Sequence, residues 1–115
     1  MLWSAHQYDK VWDEAYASCD DDAQGTFDRK LDFLQEHGSL SSRPVTAPLG
    51  GGVFELRVKD VRVLFYFGDK REIVFVHWIV KKTRNVSPED IKLAKKKRTE
   101  IQSGAKKKNA LPSQN

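Results

Sequence analysis

Residues 53–80 read VFELRVKDVRVLFYFGDKREIVFVHWIV, and this stretch decides the fold. It holds three runs rich in Val, Phe, Ile and Tyr, at residues 53–59, 61–67 and 72–80, which short polar turns separate. β-Branched and aromatic residues favour strands, and turns of this length join antiparallel neighbours. The stretch therefore predicts a three-stranded antiparallel meander.

Two helices are predicted before the meander. Four apolar side chains in residues 6–19 follow helical spacing and form one stripe, namely Trp12, Ala15, Tyr16 and Cys19. The aspartates at 20–22 then favour the start of a second helix, because carboxylates accept from its free N–H groups. That helix is expected to run to about residue 37, where His37-Gly38 is a stop signal. Helices joined this closely form an antiparallel hairpin.

A third helix is predicted after the meander. Ser87-Pro88-Glu89-Asp90 combines a capping serine, a proline at the first helical position and acids in the first turn. Its apolar face is narrow, with Ile91, Ala94 and Ile101, so we expect this helix to dock loosely.

The remaining segments complete the predicted organisation. Residues 39–52 have the composition of a loop, and a short strand at residues 2–4 is weakly indicated. The 115 residues suit one domain, at 1–102, and the polar, basic residues 103–115 predict a disordered tail. The predicted fold class is α+β: an N-terminal helical hairpin packed on a small antiparallel sheet, followed by a C-terminal helix.

The composition indicates the cellular compartment and excludes several kinds of site. The single cysteine, Cys19, cannot form an internal disulfide, and no stretch resembles a signal peptide or a membrane span, so a cytoplasmic protein is predicted. The three histidines lie far apart, and glycines 50–52 lack the Lys-Ser/Thr of a phosphate-binding loop. We therefore predict no metal and no cofactor.

Charge is divided unevenly along the chain. Residues 1–56 hold four Lys/Arg against ten Asp/Glu, whereas residues 57–115 hold sixteen Lys/Arg against six Asp/Glu. Such a division is typical of a protein that presents one basic face to a polyanion, although a solvated surface with a basic tail would give the same totals.

Strand pairing predicts where this basic face lies. If the turns are centred on residues 59–60 and 69–70, Arg57 lies opposite Arg62, and Arg62 lies opposite His77. Because side chains alternate between faces, these three and Lys81 should share one open face. The other face should pack under the helices with an apolar set: Phe54, Leu56, Val58, Val61, Val63, Phe65, Val74, Val76, Trp78 and Val80.

The basic face has two explanations at this point. Facing arginines cost up to about 1 kcal/mol, and a bound polyanion would remove that cost. Alternatively, Glu55 on the same face pairs with one arginine and the other cations point into water. The run Lys81-Lys82-Thr83-Arg84 follows the third strand and can converge on the same face.

Four segments together resemble one known family. They are LGGGVFELR at residues 49–57, VRVLFYF at 61–67, HWIVKKTR at 77–84, and SPEDI at 87–91 followed by Ala94 and Arg98. In order and spacing they are similar to the HigB-like, phage-derived branch of the RelE toxin superfamily, over about residues 40–100. Each segment alone is a weak signal, but the combination is specific.

The resemblance implies a type II toxin that cleaves mRNA, often on the ribosome, and is silenced by a cognate antitoxin, usually a helix-turn-helix protein. It implies a metal-independent reaction in which the 2′-hydroxyl attacks the adjacent phosphate. By this resemblance Arg62 would stabilise the phosphate and Arg57 would position RNA. Lys81 or Lys82 would serve as the base or acid.

Further candidate residues follow from their charge and from one difference between this sequence and the family pattern. Arg43, Arg84, Lys95 and Arg98 are candidate RNA contacts. Many members of the superfamily carry a catalytic Tyr or His near the C-terminus, but none follows Trp78 here. The general base therefore stays open between His77 and a lysine. A non-catalytic module that binds RNA or a partner, and a phage accessory protein, are the alternative functions.

Overall fold

The computed structural model describes residues 2–41 and 45–111. In chain order the elements are β1 (Ser4–Tyr8), α1 (Val11–Ala17), α2 (Asp21–His37), a 3-10 turn (Gly38–Leu40), β2 (Thr46–Gly50), β3 (Val53–Val58), β4 (Val61–Gly68), β5 (Glu72–Val80), α3 (Pro88–Gln102) and β6 (Lys108–Ala110).

The strands form one mixed sheet in the order β2-β3-β4-β5-β1-β6. The predicted meander is confirmed as β3, β4 and β5, each antiparallel to the next. β1 pairs in parallel with β5, and β6 pairs antiparallel with β1. The α+β class is therefore confirmed, with a wider sheet than predicted, because three further strands join the meander.

The N-terminal helix begins later than predicted. Residues 6–8, predicted as the start of the first helix, instead belong to the interior strand β1, and α1 begins at Val11. The Gln7 side chain explains this boundary: its Oε1 accepts from the backbone N–H groups of Trp12 and Asp13, at 3.0 and 3.2 Å. A buried amide thus supplies the acceptor for the first turn of α1.

Helices α1 and α2 cover one face of the sheet, which we call the hairpin face. Helix α2 begins as predicted, since the Asp20 carboxylate accepts from the N–H of Ala23 at 2.9 Å. Helix α2 ends at His37, before Gly38 with φ 54°, a left-handed conformation that glycine adopts readily. The core beneath the helices includes Trp12, Ala15, Phe27, Leu31, Leu34, Leu56, Val63, Phe65 and Phe75.

A bulge in the β4–β5 pair changes the faces of β5. Phe65 pairs with Phe75, but Leu64 pairs with His77, so β5 has one extra residue at this point. A turn centred on residues 69–70 would pair Phe67 with Glu72, but Gly68 pairs with Glu72. The predicted places of Val74 and Val76 in the hairpin-face core are therefore wrong: both pack on the opposite face, and Ile73 and Phe75 are in the hairpin-face core. The predicted burial of Val80 is also wrong, since it is 61% exposed.

The opposite face is not the open surface that the sequence predicted. Helix α3 packs across it, and this α3 face has its own core of Val53, Leu64, Tyr66, Val74, Val76, Val86 and Ala94. Ala94 is fully buried, so the expectation of a loosely docked helix is wrong.

The predicted disordered tail is wrong for residues 103–111. After α3 the chain returns to the sheet as β6, and Leu111 is buried in the hairpin-face core. Lys106 Nζ lies 2.6 Å from Asp9 Oδ1, and Asn109 donates a hydrogen bond to the Asp9 carbonyl. The tail is therefore part of the domain as far as residue 111.

Candidate nucleic-acid interface

An open groove of about 880 Å³ lies next to the α3 face, close to strands β2 and β3. Residues 45–49 form one wall, Glu55 and Arg57 of β3 contribute the floor, and residues 84–86 form the other wall. The groove contains two of the predicted RNA-binding arginines, Arg57 and Arg84. Two cations in an open groove suit an anionic ligand.

Arg57 and Arg84 present exposed side chains in this groove. Arg57 lies near the end of β3, and its Nε donates to the Lys59 carbonyl at 3.0 Å across the turn. That contact orients the guanidinium while its remaining N–H groups can serve a ligand. The predicted cross-strand pairing of Arg57 with Arg62 is confirmed, but the two side chains have different surroundings.

Arg62 is fully buried, which corrects the expectation of an open pair of arginines. Its Nη1 donates to the Arg84 carbonyl at 2.6 Å, its Nη2 donates to the Thr83 carbonyl, and Nη1 lies 3.9 Å from Glu55 Oε1. The guanidinium is therefore occupied by the chain segment that forms the groove wall. In this conformation it does not line the groove.

Glu55 is a groove residue that the sequence analysis considered only as the partner of one arginine, and Arg62 is that arginine. Its side chain is only 11% exposed, and it faces the groove from the middle of β3. The 3.9 Å separation from Arg62 permits Coulombic attraction but is too long for a hydrogen bond. None of the residues that the structure describes donates a hydrogen bond to this carboxylate, so its oxygens can accept a proton from a ligand. The available signal was a carboxylate within an otherwise apolar strand, between Phe54 and Leu56.

His77 does not lie opposite Arg62 as predicted: the register of the β4–β5 turn and the bulge each shift the pairing by one residue, which places His77 opposite Leu64. Its Nε2 lies 3.0 Å from Asp90 Oδ1, and its Nδ1 lies 3.2 Å from Lys97 Nζ. Both ring nitrogens are therefore engaged by α3. This geometry assigns His77 to the attachment of α3 and does not offer it to the groove as a base.

The charged partners of His77 have shifted pKa values. Burial lowers the pKa of Lys97. Burial acts to raise the pKa of Asp90, but hydrogen bonds from Ser87 and His77 outweigh it, and the pKa lies below its ordinary value. The Ser87 hydroxyl also accepts from the Asp90 N–H at 3.2 Å and so caps α3.

The other predicted cations lie outside the groove lining. Lys81 is half-buried, and its backbone N–H donates to the Asp60 carbonyl, while Lys82 is exposed; both immediately precede the groove wall. Arg98 donates from Nη1 to the Gly51 carbonyl at 2.6 Å. Lys95, also on α3, lies beside the same turn between β2 and β3. Arg43 lies outside the described residues.

Residues 2–41 and 45–111 contain no group of three His, Cys, Asp or Glu side chains placed to hold a metal ion. In the same ranges, none of the helices has the length and apolar character required to span a bilayer.

Comparisons with known proteins give one family and a shared fold. Residues 15–99 match the family described as phage derived protein Gp49-like (DUF891). No curated protein sequence matches the chain. The isolated E. coli RelE toxin is similar in structure, with a TM-score of 0.54 at 11% identity over 78% of this chain and 96% of that chain. A toxin–antitoxin complex, RelBE2 of Mycobacterium tuberculosis, gives a TM-score of 0.48 at 14% identity over 72% and 95%. The predicted RelE-like fold is confirmed.

Proposed function

This chain belongs to the Gp49-like family of phage-derived proteins, and on that premise we propose that it is the toxin of a type II toxin–antitoxin system. We propose that it acts in the cytoplasm as a metal-independent endoribonuclease that cleaves mRNA on the ribosome. A cognate antitoxin of the helix-turn-helix class would silence it.

One observation carries the proposal: a shielded carboxylate lies in an open groove with two exposed arginines. Within residues 2–41 and 45–111 no group donates a hydrogen bond to the Glu55 carboxylate, and Arg57 and Arg84 line the same groove. Cleavage by an internal 2′-hydroxyl needs a proton acceptor for that hydroxyl and positive charge for the phosphorane. The groove has both kinds of group within one small volume.

The proposed reaction assigns one role to each group. Glu55 accepts the 2′-hydroxyl proton while the 2′-oxygen forms a bond to phosphorus. Arg84 and Arg57 donate hydrogen bonds to the phosphate oxygens, for which a guanidinium is well suited. The bond from phosphorus to the 5′-oxygen breaks, and Lys81 or Lys82 protonates the leaving oxygen. The products are a 2′,3′-cyclic phosphate and a 5′-hydroxyl.

Cations outside the groove extend the proposed interface. Lys95 and Arg98 lie beside the turn between β2 and β3, close to one end of the groove wall. We assign them to sequence-independent contacts with the phosphate backbone, as we do Arg43. Such contacts raise affinity at low salt and carry no base specificity.

The test compares cleavage of one RNA in two chemical forms. The purified protein is incubated with single-stranded RNA, and with mRNA in a translating extract, in the presence of EDTA. We expect new 5′-hydroxyl ends, and none when 2′-O-methyl RNA replaces the substrate. Glu55→Gln should lower cleavage by about 100-fold or more, in the range typical of a lost general base.

The matched control is Arg71→Ala, because Arg71 is exposed on the β4–β5 turn, at the end of β4 remote from Arg62. It should cleave like the unmodified chain. Cleavage of the 2′-O-methyl RNA, or a fully active Glu55→Gln variant, would contradict the assigned chemistry.

A second candidate is a module that binds RNA through the same groove without cutting it. The observation in its favour is that Arg62 and His77, the predicted catalytic groups, are both engaged by other parts of the protein. The module predicts salt-sensitive binding with intact RNA in both assays. An enzyme would instead produce new RNA 5′ ends in at least one of the two assays.

A further inference from the structure

Arg62 is an arginine whose partners are all within the protein. It lies on β4 directly opposite Arg57, yet it is 0% exposed whereas Arg57 is open to solvent. Its two Nη atoms donate to the carbonyls of Thr83 and Arg84. These carbonyls belong to residues 83–84, between the end of β5 and the first turn of α3.

Burying a guanidinium is costly unless carbonyls or a carboxylate compensate for the lost water. Here the compensation comes from the Thr83 and Arg84 carbonyls and from the Glu55 carboxylate at 3.9 Å. The Nε–H of Arg62 has no hydrogen-bond partner among the described residues, but the side chain is 0% exposed, so a phosphate could reach it only if residues 83–84 moved off it. The observed contacts therefore oppose a direct role on the substrate.

The same contacts connect the two sides of the groove. Glu55 is on β3, Arg84 is on the opposite wall, and Arg62 touches both from beneath. A planar guanidinium fixes the directions of its N–H groups, so it can set the distance and angle between its partners. We propose that Arg62 is a positioning residue that holds the Arg84 segment at a fixed place relative to Glu55 and does not touch the scissile phosphate.

This inference rests on the proposed function and departs from the role that family resemblance suggested for Arg62. In this arrangement the phosphate ligand is Arg84, and Arg62 acts through it. Three measurements separate this arrangement from direct phosphate binding.

The first measurement uses the unmodified chain, so it does not depend on the folding of a variant. Arginine side-chain N–H signals are followed by NMR while a 2′-O-methyl RNA, which cannot be cleaved, is added. We expect the signals of Arg57 and Arg84 to move and the signal of Arg62 to stay in place. A shift of Arg62 as large as that of Arg84 would overturn the proposal.

The second measurement is hydrogen exchange of residues 81–87 without RNA, in Arg62→Met and in the matched control Arg71→Met. Loss of the two carbonyl contacts should raise exchange in this segment by about tenfold, because a local opening becomes easier. The control should leave it unchanged. Unchanged exchange in a folded Arg62→Met variant would show that Arg62 does not hold the segment.

The third measurement is a double-mutant cycle on kcat/KM with cleavable RNA. Arg62→Met alone should lower kcat/KM by about 10- to 100-fold, because Arg84 would no longer be held at its place relative to Glu55. In an Arg84→Ala background the same change should cost much less, because the residue through which Arg62 acts is gone. Additive losses would indicate two independent phosphate ligands and reject the proposal.

If the proposed function is wrong, the three measurements give a different pattern of results. If no arginine signal responds to RNA and no RNA is cut, the endoribonuclease assignment fails. The hydrogen exchange of residues 81–87 still decides whether Arg62 holds the segment, since that measurement contains no RNA.

Discussion

At the scale of single residues, two paired arginines differ because of what covers them. Arg57 lies near the end of β3 and its side chain is exposed, whereas residues 83–84 cross over Arg62. Arg57 is therefore open to a ligand. Arg62 is a buried cation that requires hydrogen-bond acceptors from the protein. Residue type and strand register were therefore insufficient to assign either role.

We expect Arg57→Ala to weaken the salt dependence of RNA binding. Each phosphate contact that is lost should reduce the slope of log K against log salt concentration by about 0.7 for a single strand. Titrations of 2′-O-methyl RNA at several salt concentrations measure this slope. Arg71→Ala should leave the slope unchanged, and an unchanged slope in Arg57→Ala would remove Arg57 from the interface.

At the scale of elements, α3 is held to the sheet by polar contacts as well as by its apolar face. Asp90 accepts from Ser87 at 2.7 Å within the helix cap and lies 3.0 Å from His77 of β5. A single carboxylate thus connects the first turn of α3 to the bulged strand. The wall of the groove immediately precedes this cap.

This arrangement predicts a pH-dependent contribution of Asp90 to stability. Its pKa is lowered in the folded state, so the contribution is complete above the ordinary carboxyl pKa near 4 and is lost as pH falls through the lower folded pKa. Asp90→Asn should lower the free energy of unfolding by about 1 kcal/mol at pH 7, because charge-assisted hydrogen bonds are lost. Urea unfolding from pH 7 to pH 2.5 should show the two proteins converging in acid. A constant difference over that range would contradict the assigned role.

At the scale of the whole molecule, the chain after α3 completes the sheet. Strand β6 pairs with β1, which would otherwise be an open edge, and Leu111 enters the core beside Ala5. The new edge strand, β6, has only three residues, and a short edge offers little backbone for pairing with another chain. The residues predicted as a tail therefore contribute to the core and to a shorter exposed edge.

We expect Leu111→Ala to destabilise the fold by about 2–3 kcal/mol, the usual cost of removing a buried leucine side chain. Urea unfolding followed by far-UV circular dichroism measures the change. Leu93→Ala is the matched control, because Leu93 is 44% exposed on α3 and should cost little. Equal effects of the two substitutions would mean that Leu111 does not pack as described.

Prediction from the sequence worked where the governing contacts are local. The meander, the Asp20 and Ser87 caps and the Gly38 stop are set by residues within a few positions of each other. The Arg57–Arg62 pair followed from the short turn at residues 59–60, since such a turn fixes the register. The ordered segments led to a phage-derived family with a RelE-like fold; membership of the Gp49-like family and the RelE-like fold are both confirmed.

The site was only partly predictable, because its chemistry depends on contacts between distant segments. The β4–β5 turn and one extra residue in β5 each shifted the pairing by one position and together moved His77 away from Arg62, and no local pattern announces either shift. Glu55 became a groove residue only when the wall at residues 84–86 was placed across from it.

The amino-acid sequence by itself determined the class of fold, the family, the elements around the meander and the excess of positive charge in its second half. These depend on periodicity, capping and short turns, which act between near neighbours. The tertiary structure alone decided that residues 4–8 form an interior strand, that β6 joins the sheet, and that Arg62 is buried while Arg57 and Arg84 are exposed. The physical reason is that burial belongs to the packed chain: whether a charged side chain meets water, a carbonyl or a ligand depends on which distant segment lies over it.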